Sequence, residues 1–187
     1  MSAFSIQRIH RLSDWMRIRC LYTQAFPPTE RKPFGMIVSM WRRKKTDVWC
    51  IRTAQNRFAG FASTINGDKL VLIDYLAVVP SMRGQGTGSQ ALKALCQVYP
   101  EQGLFVEIEN PYEAAPNQPE RRQRRTFYER CGFSPARTMA NVFGVQMELL
   151  CHRCSVSFPA YHAFYADNYS VWAAERISEL PYPETTR

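Results

Sequence analysis

The chain has 187 residues, 45% of them hydrophobic and 13% aromatic, enough apolar material for one packed domain without disulfide or metal support. Its 24 Lys and Arg against 16 Asp and Glu leave a net charge of +8, which suits an anionic partner: nucleic acid, a phosphorylated cofactor or an acidic surface. No apolar run approaches the ~18 residues of a membrane span, and Met1–Arg11 is too polar for a secretory leader, so a cytoplasmic protein with no membrane partner is expected.

The predicted elements run as follows. Ser5–His10 alternates weakly and reads as a first strand. Leu12–Phe26 has a helical apolar period, with Ser13-Asp14 as its cap, and Pro27-Pro28 stops it. Pro33–Arg43 reads as a second short helix. The period then changes: Asp47–Thr53 and Arg57–Ile65 are paired strands, and Asn66-Gly67 is a hairpin signal leading into a strand over Leu70–Val79. Beyond the glycine-rich turn Arg83–Gly88, Ser89–Tyr99 is a helix with Ala91, Leu92, Leu95 and Val98 inward. Gly103–Ile108 is a buried strand, Asn110–Glu120 a proline-rich loop, and Arg121–Cys131 a helix stopped by Gly132. Ala136–Leu150 carries two strands split near Phe143-Gly144, and Tyr161–Leu180 is an aromatic-rich helical tail. The order is that of a mixed α/β fold.

Six cysteines without a secretory signal read as reduced thiols. Only Cys151-x-x-Cys154 has a suggestive spacing. A zinc site needs about four ligands, and no second close pair exists, so no metal is expected.

The stretch that carries chemistry is strand, glycine-rich turn, helix. Leu76-Ala77-Val78 ends the strand, and Arg83-Gly84-Gln85-Gly86-Thr87-Gly88-Ser89 opens the helix. Glycines let the backbone approach a ligand closely. The first N–H groups of the helix lack intrahelical partners, and the helix dipole adds positive potential. Such a turn cradles an anion, above all phosphate. A Walker-type loop is excluded because Ser89-Gln90 follows Gly88 where lysine is required. A dinucleotide fingerprint fits Gly86-x-Gly88-x-x-Ala91, with Glu107 and Glu109 ending the next strand. That motif, however, should begin directly at the end of the first strand of its sheet.

Arg83-x-x-Gly86-x-Gly88 after Leu-Ala-Val-x-Pro closely resembles the acyl-CoA-binding motif of the GNAT superfamily of N-acetyltransferases. Tyr128-Glu129-Arg130-Cys131-Gly132-Phe133 is similar to that family's later Tyr-Glu-x-x-Gly-Phe motif. With the element order, the resemblance spans residues 5–150. It implies a central mixed, mostly antiparallel sheet of six to seven strands flanked by helices. The acetyltransferase domain would occupy residues 1–150, and residues 151–187 would be a helical extension packed on it. It also implies acetyl-CoA as co-substrate. Backbone groups of Leu76, Ala77 and Val78 would pair with the pantetheine arm. N–H groups from Arg83 to Ser89 would hold the pyrophosphate, and the N–H of Val78 would polarise the thioester carbonyl. Tyr128 matches the family's tyrosine near the sulfur, commonly the general acid.

Thioester aminolysis supplies the chemical reason for these roles. A lysine-like amine of pKa near 10.4 is only about 0.04% neutral at pH 7, so a base is useful. Backbone donors stabilise the oxyanion, and a phenol can protonate the departing thiolate. Glu107, on the strand that flanks the cleft in the family, is the first candidate for the base. Glu30, in the early helix–loop region, is a candidate for substrate binding. The sequence departs from the family at Arg121 and Arg124, where many members carry Asn and Ala. Arg121, Arg124, Arg125 and Tyr128 share a helical face, which suits either an anion or solvent.

The function implied is acetyl transfer from acetyl-CoA to a primary amine, on a small molecule or a peptide, by direct attack in a ternary complex. The alternative is a non-catalytic CoA-binding or regulatory module on the same fold. Nucleic acid is disfavoured because the aromatics are not interleaved with the basic runs. The aromatic tail suits docking on a second copy, as a homodimer, as well as on its own core.

Overall fold

The longer strands of the first part of the chain, Thr46–Thr53, Phe58–Asn66 and Leu70–Val78, alternate apolar residues between two faces, and helices pack on both. A computed structural model describes residues 4–183. The elements are β1 (Phe4–Arg8), α1 (Leu12–Ala25), a single 3-10 turn (Pro28–Glu30), α2 (Phe34–Arg42), β2 (Thr46–Thr53), β3 (Phe58–Asn66) and β4 (Leu70–Val78). They continue with a second 3-10 turn (Pro80–Met82), α3 (Thr87–Val98), β5 (Gly103–Glu109), α4 (Gln118–Arg130), β6 (Ser134–Val142), β7 (Val145–His152), α5 (Phe158–Asn168), α6 (Val171–Ala174) and β8 (Ile177–Leu180). The strand order is β1-β2-β3-β4-β5-β7-β6-β8. The sheet is mixed and mostly antiparallel, with a parallel ladder from β4 to β5. No described helix is long and apolar enough to cross a membrane.

The chain divides into two compact units, Met1–Asn66 with Ile73–Pro100, and Gly67–Leu72 with Glu101–Arg187. In the first, α1 and α2 place Ile18, Leu21, Tyr22 and Ile37 against Val48, Cys50, Phe61, Tyr75 and Ala77 of the strands. The opposite strand faces present Ile51 and Ala59 to Ala91 of α3, with Leu76 packed alongside. This is the period-2 alternation of a sheet covered on both sides. Trp49 belongs to this core: its indole donates to Thr64 Oγ1 at 3.3 Å. Trp15 and Trp41 pack edge-on at 5.2 Å.

Two expectations fail within this unit. Ser13-Asp14 is not the cap of α1: Arg11 stands at the N-cap position, and Asp14 turns inward. Its carboxylate accepts from Arg52 Nη2 at 2.7 and 2.8 Å, with both residues buried. Val98 is not an inward residue of α3. It is exposed, and Tyr99 one position on is buried instead, its hydroxyl 2.7 Å from Thr64 Oγ1.

In the second unit β5 is central, with Leu104, Phe105, Val106 and Ile108 all buried. The ring of Phe105 meets Tyr161 and Phe164 of α5 edge-on. The tail is not purely helical as expected. Ile177–Leu180 forms an eighth strand, one more than the six to seven anticipated, pairing with Met139–Val142 of β6. Four residues are too few to show a period, and the edge of β6 supplies the hydrogen bonds that make them a strand. Gly67 adopts no left-handed conformation. A Cβ there would lie 2.8 Å from the ring of Phe164, so space requires the glycine rather than turn geometry.

Candidate active site

The first unit holds the glycine-rich turn. Val79 N donates to Ala59 O at 2.9 Å, so Val79 faces β3. Alternation therefore turns the backbone groups of Val78 and Leu76 to the opposite edge. The β4–β5 ladder comprises only Leu70–Leu72 with Gly103–Phe105. Among the described residues β5 pairs with β4 only over Leu70–Leu72, and Leu76 and Val78 turn their backbone groups to that same edge beyond the ladder. Ala77 lies between them, buried and facing β3.

The turn then bends sharply. Gly84 and Gly86 have φ of +73° and +77°, and Gly86 stands at the N-cap of α3. A Cβ on Gly84 would meet nothing within 4 Å, so the left-handed backbone, not crowding, calls for glycine here. Gln90 N is the first amide of α3 bonded back, to Gly86 O at 3.0 Å. Among the described residues no backbone carbonyl accepts from the N–H groups of Gly84, Gln85, Gly86, Thr87, Gly88 or Ser89. Side chains brace the turn rather than fill it. Gln85 donates to Ser81 O, Thr87 to Met82 O, and Arg83 Nε to Val78 O at 3.1 Å. The sequence places the helix start at Ser89. The structure starts it at Thr87, so Gly88 and Ser89 lie in the first turn, where amides are unpaired.

The second unit holds Tyr128 and Glu107. Tyr128 is buried on α4 against Phe127 and Phe133. Burial pushes its hydroxyl up to about 12, against the opposing pull of the Arg124 charge. The arginine face of α4 is engaged by carboxylates. Arg121 pairs with Glu109 at 2.9 Å and Arg124 with the same carboxylate at 3.5 Å, while Arg125 reaches the fully buried Glu148 at 3.1 Å. Glu107 Oε1 accepts from Tyr161 at 2.5 Å and from Tyr165 at 2.8 Å. Both tyrosines come from α5, in the tail for which the sequence offers docking on its own core or a second copy but no motif at the site. Their spacing of four places them on one helical face, the available signal. Cys151 is buried, and Cys154 Sγ donates to Leu104 O at 3.4 Å. No group of three or more His, Cys, Asp or Glu among the described residues is arranged for a metal.

Glu30 ends the first 3-10 turn, and its carbonyl accepts from Tyr75 at 3.0 Å. Beside it lies a cluster the sequence reading missed. Lys32 Nζ sits 2.5 Å from Asp74 Oδ1 and 5.5 Å from the centre of the Tyr75 ring. Tyr22 donates to Lys32 O and to Tyr75 Oη. The signal was present: Asp74 is the one charged residue in the otherwise apolar run Leu70–Val78.

The family model of the acetyltransferase (GNAT) domain matches residues 44–135, which include the turn and Tyr128. The chain thus carries a GNAT acetyltransferase domain, and the class so defined is that of acetyl-CoA-dependent acyltransferases. No curated protein matches the sequence. Among solved structures, a protein of Bacteroides thetaiotaomicron described as a GNAT-family acetyltransferase superposes with a TM-score of 0.73 at 18% identity, covering 91% of this chain and 98% of its own. A Desulfovibrio desulfuricans protein similarly described gives 0.61 at 20% identity, over 80% of this chain and 98% of its own. Spermidine N-acetyltransferase from Vibrio cholerae, in complex with CoA and spermine, gives 0.59 at 13% identity over 80% and 94%. At these identities the likeness is one of fold.

Proposed function

We propose that the chain transfers the acetyl group of acetyl-CoA to a primary amine, the amine attacking the thioester directly in a ternary complex. The observation that carries this reading is the run of amides from Gly84 to Ser89 that no described backbone carbonyl accepts from, following a strand edge beyond the last described β5 pair at Leu72. The pyrophosphate would take the amides at the start of α3, and the pantetheine arm would pair along Leu76, Ala77 and Val78 as an added strand. The N–H of Val78 faces that edge, where it would stabilise the thioester oxyanion.

Tyr128 is assigned the proton donor for the leaving thiolate. Its raised pKa keeps the hydroxyl protonated at neutral pH. Glu107, carrying two phenolic hydrogen bonds, is assigned the acceptance of the amine's proton, directly or through water, and Glu30 a place at the acceptor's entry. Arg121 and Arg124 are engaged by Glu109, so the side-chain contact to CoA made in many family members from the helix before the tyrosine is absent from this assignment. The acceptor is a small-molecule or peptide amine. The spermine in the V. cholerae complex makes polyamines the first compounds to screen.

Calorimetric titration with acetyl-CoA tests the cradle. Micromolar binding is expected, with none of NAD or ATP and none after Gly86→Glu, which puts a carboxylate and a strained φ at the phosphate seat. In a screen of amines, Tyr128→Phe should lower kcat by about 10²-fold or more with acetyl-CoA affinity kept. Unchanged binding by a protein that acetylates no amine would favour the non-catalytic alternative.

A further inference from the structure

Cys151-x-x-Cys154 is a spacing that the acetyl-transfer reading leaves unused. Cys151 is buried near the end of β7, opposite Phe105 of β5 and Ser134 of β6. The strand ends at His152, and Arg153 then takes a left-handed φ of +60°, which residues other than glycine seldom adopt. The chain doubles back there. The Val156 amide donates to Cys151 Sγ, and the thiols of Cys151 and Cys154 are hydrogen-bonded to each other. Gly103, the first residue of β5, makes room for the turn: a Cβ on it would collide with Cys154 Cβ and lie 2.7 Å from the sulfur. A strained residue on one side and a glycine on the other thus hold two sulfurs against each other.

The two thiols are not equivalent. Cys151 is buried, whereas Cys154 is half-buried between the exposed Arg153 and Ser155. The Cys151 donor holds the Cys154 thiol below its ordinary range against the effect of burial, helped by the His152 amide and the Arg153 charge. The same contact, with burial, pushes the Cys151 thiol up. The thiolate is the nucleophile, so Cys154 is the sulfur that can attack and Cys151 the one held in reserve. Once Cys154 is tied up in a mixed disulfide, the contact that raises Cys151 is gone. The Val156 amide remains and favours the Cys151 thiolate.

We propose that Cys151 and Cys154 form a redox-active dithiol that exchanges with low-molecular-weight disulfides, Cys154 attacking and Cys151 resolving. With glutathione disulfide, the Cys154 thiolate attacks one sulfur. The glutathione S–S bond breaks, a mixed disulfide forms on Cys154, and the first glutathione leaves as thiolate and takes up a proton. Cys151 then gives its proton to solvent and attacks Cys154 Sγ. The mixed disulfide breaks, the Cys151–Cys154 bond forms, and the second glutathione leaves. The two cysteines lose two electrons, and one glutathione disulfide becomes two glutathione thiols. Closing the bond withdraws the Cys154 donor from Leu104 O, within the ladder that joins β5 to β4. The proposal does not rest on the acetyl-transfer reading.

The test uses the full chain, with glutathione disulfide as the probe and no acetyl-CoA present. Trypsin cuts after Arg153, between the two cysteines, so a Cys151–Cys154 bond joins peptides 138–153 and 154–176. Mass spectrometry reads the joined peptides once the remaining thiols are blocked. Wild type in excess glutathione disulfide should yield them, and dithiothreitol should abolish them. Cys151→Ser should stop at the mixed disulfide, gaining glutathione on Cys154 at least tenfold faster than Cys154→Ser gains it on Cys151. Absence of the joined peptides from wild type overturns the dithiol, with glutathione taken up by the exposed Cys20 as the sign that the oxidant was active. Faster uptake at Cys151 than at Cys154 overturns the assigned order of attack. The wild-type measurement needs no variant and decides the pair even where a serine variant does not fold.

Discussion

At Gly86 the backbone is left-handed, with φ of +77°, and no heavy atom lies closer than 3.8 Å to the place a Cβ would take. Gly86→Ala should therefore cost about 1–2 kcal/mol through backbone strain alone, read as a lower urea midpoint, and should weaken acetyl-CoA binding by turning the amides of the α3 start. Asp14 has the opposite character, since its role is wholly tertiary. Its carboxylate takes two hydrogen bonds from Arg52, and both side chains are under 5% exposed. Asp14→Ala leaves a buried guanidinium without its counter-charge and should cost about 3–5 kcal/mol. Replacing both residues by apolar ones should cost much less, and the double variant's urea midpoint decides between the two. Gly86 is legible in the sequence as a special residue because a glycine before a helix has few other reasons to be there. Asp14 reads as a helix cap, wrongly, because a sequence does not say which way a residue in the first turn points.

Among the elements, α5 shows how a segment without a recognised motif can hold a candidate site residue. Tyr161 is completely buried, and with Tyr165 it donates to Glu107. Tyr161→Phe removes one of the two phenolic donors and should cost about 1–3 kcal/mol. Tyr161→Ala also opens a cavity against Phe105 and should cost about 3–5 kcal/mol. If Glu107 takes the amine's proton, Tyr161→Phe should in addition move the acid limb of the kcat/KM profile, which a loss of packing alone would not do. The same helix explains Gly67, whose missing side chain makes room for the Phe164 ring. The hairpin falls at Asn66-Gly67 as expected, but for a different physical reason.

For the whole molecule, buried ionisable groups set an alkaline limit. Tyr128 is raised from its ordinary 10.0 to about 12, and Cys50 from 9.0 to about 11, in both cases mainly by burial. Between the ordinary and the raised value the unfolded chain has lost the proton and the folded chain still holds it, so stability falls as pH rises. Unfolding free energy should therefore decline from about pH 9 to pH 12. Tyr128→Phe should flatten the part above pH 10 by up to ~3 kcal/mol, as measured by denaturant titration at stepped pH. The sequence by itself determined most of the element order and the glycine-rich turn before α3, and its resemblance to the GNAT family pointed to the acyltransferase class. The elements depend on periods of 2 and 3.6, and the turn on glycines that tolerate a left-handed backbone. Tertiary structure alone decided that Asp14 meets Arg52, that Ile177–Leu180 joins the edge of β6, that two tyrosines of the tail hold Glu107, and that Lys32 lies on Asp74. Each of these joins residues far apart in the chain, and no local period encodes a partner at that distance. Only the packing of one element on another brings such groups within hydrogen-bonding reach.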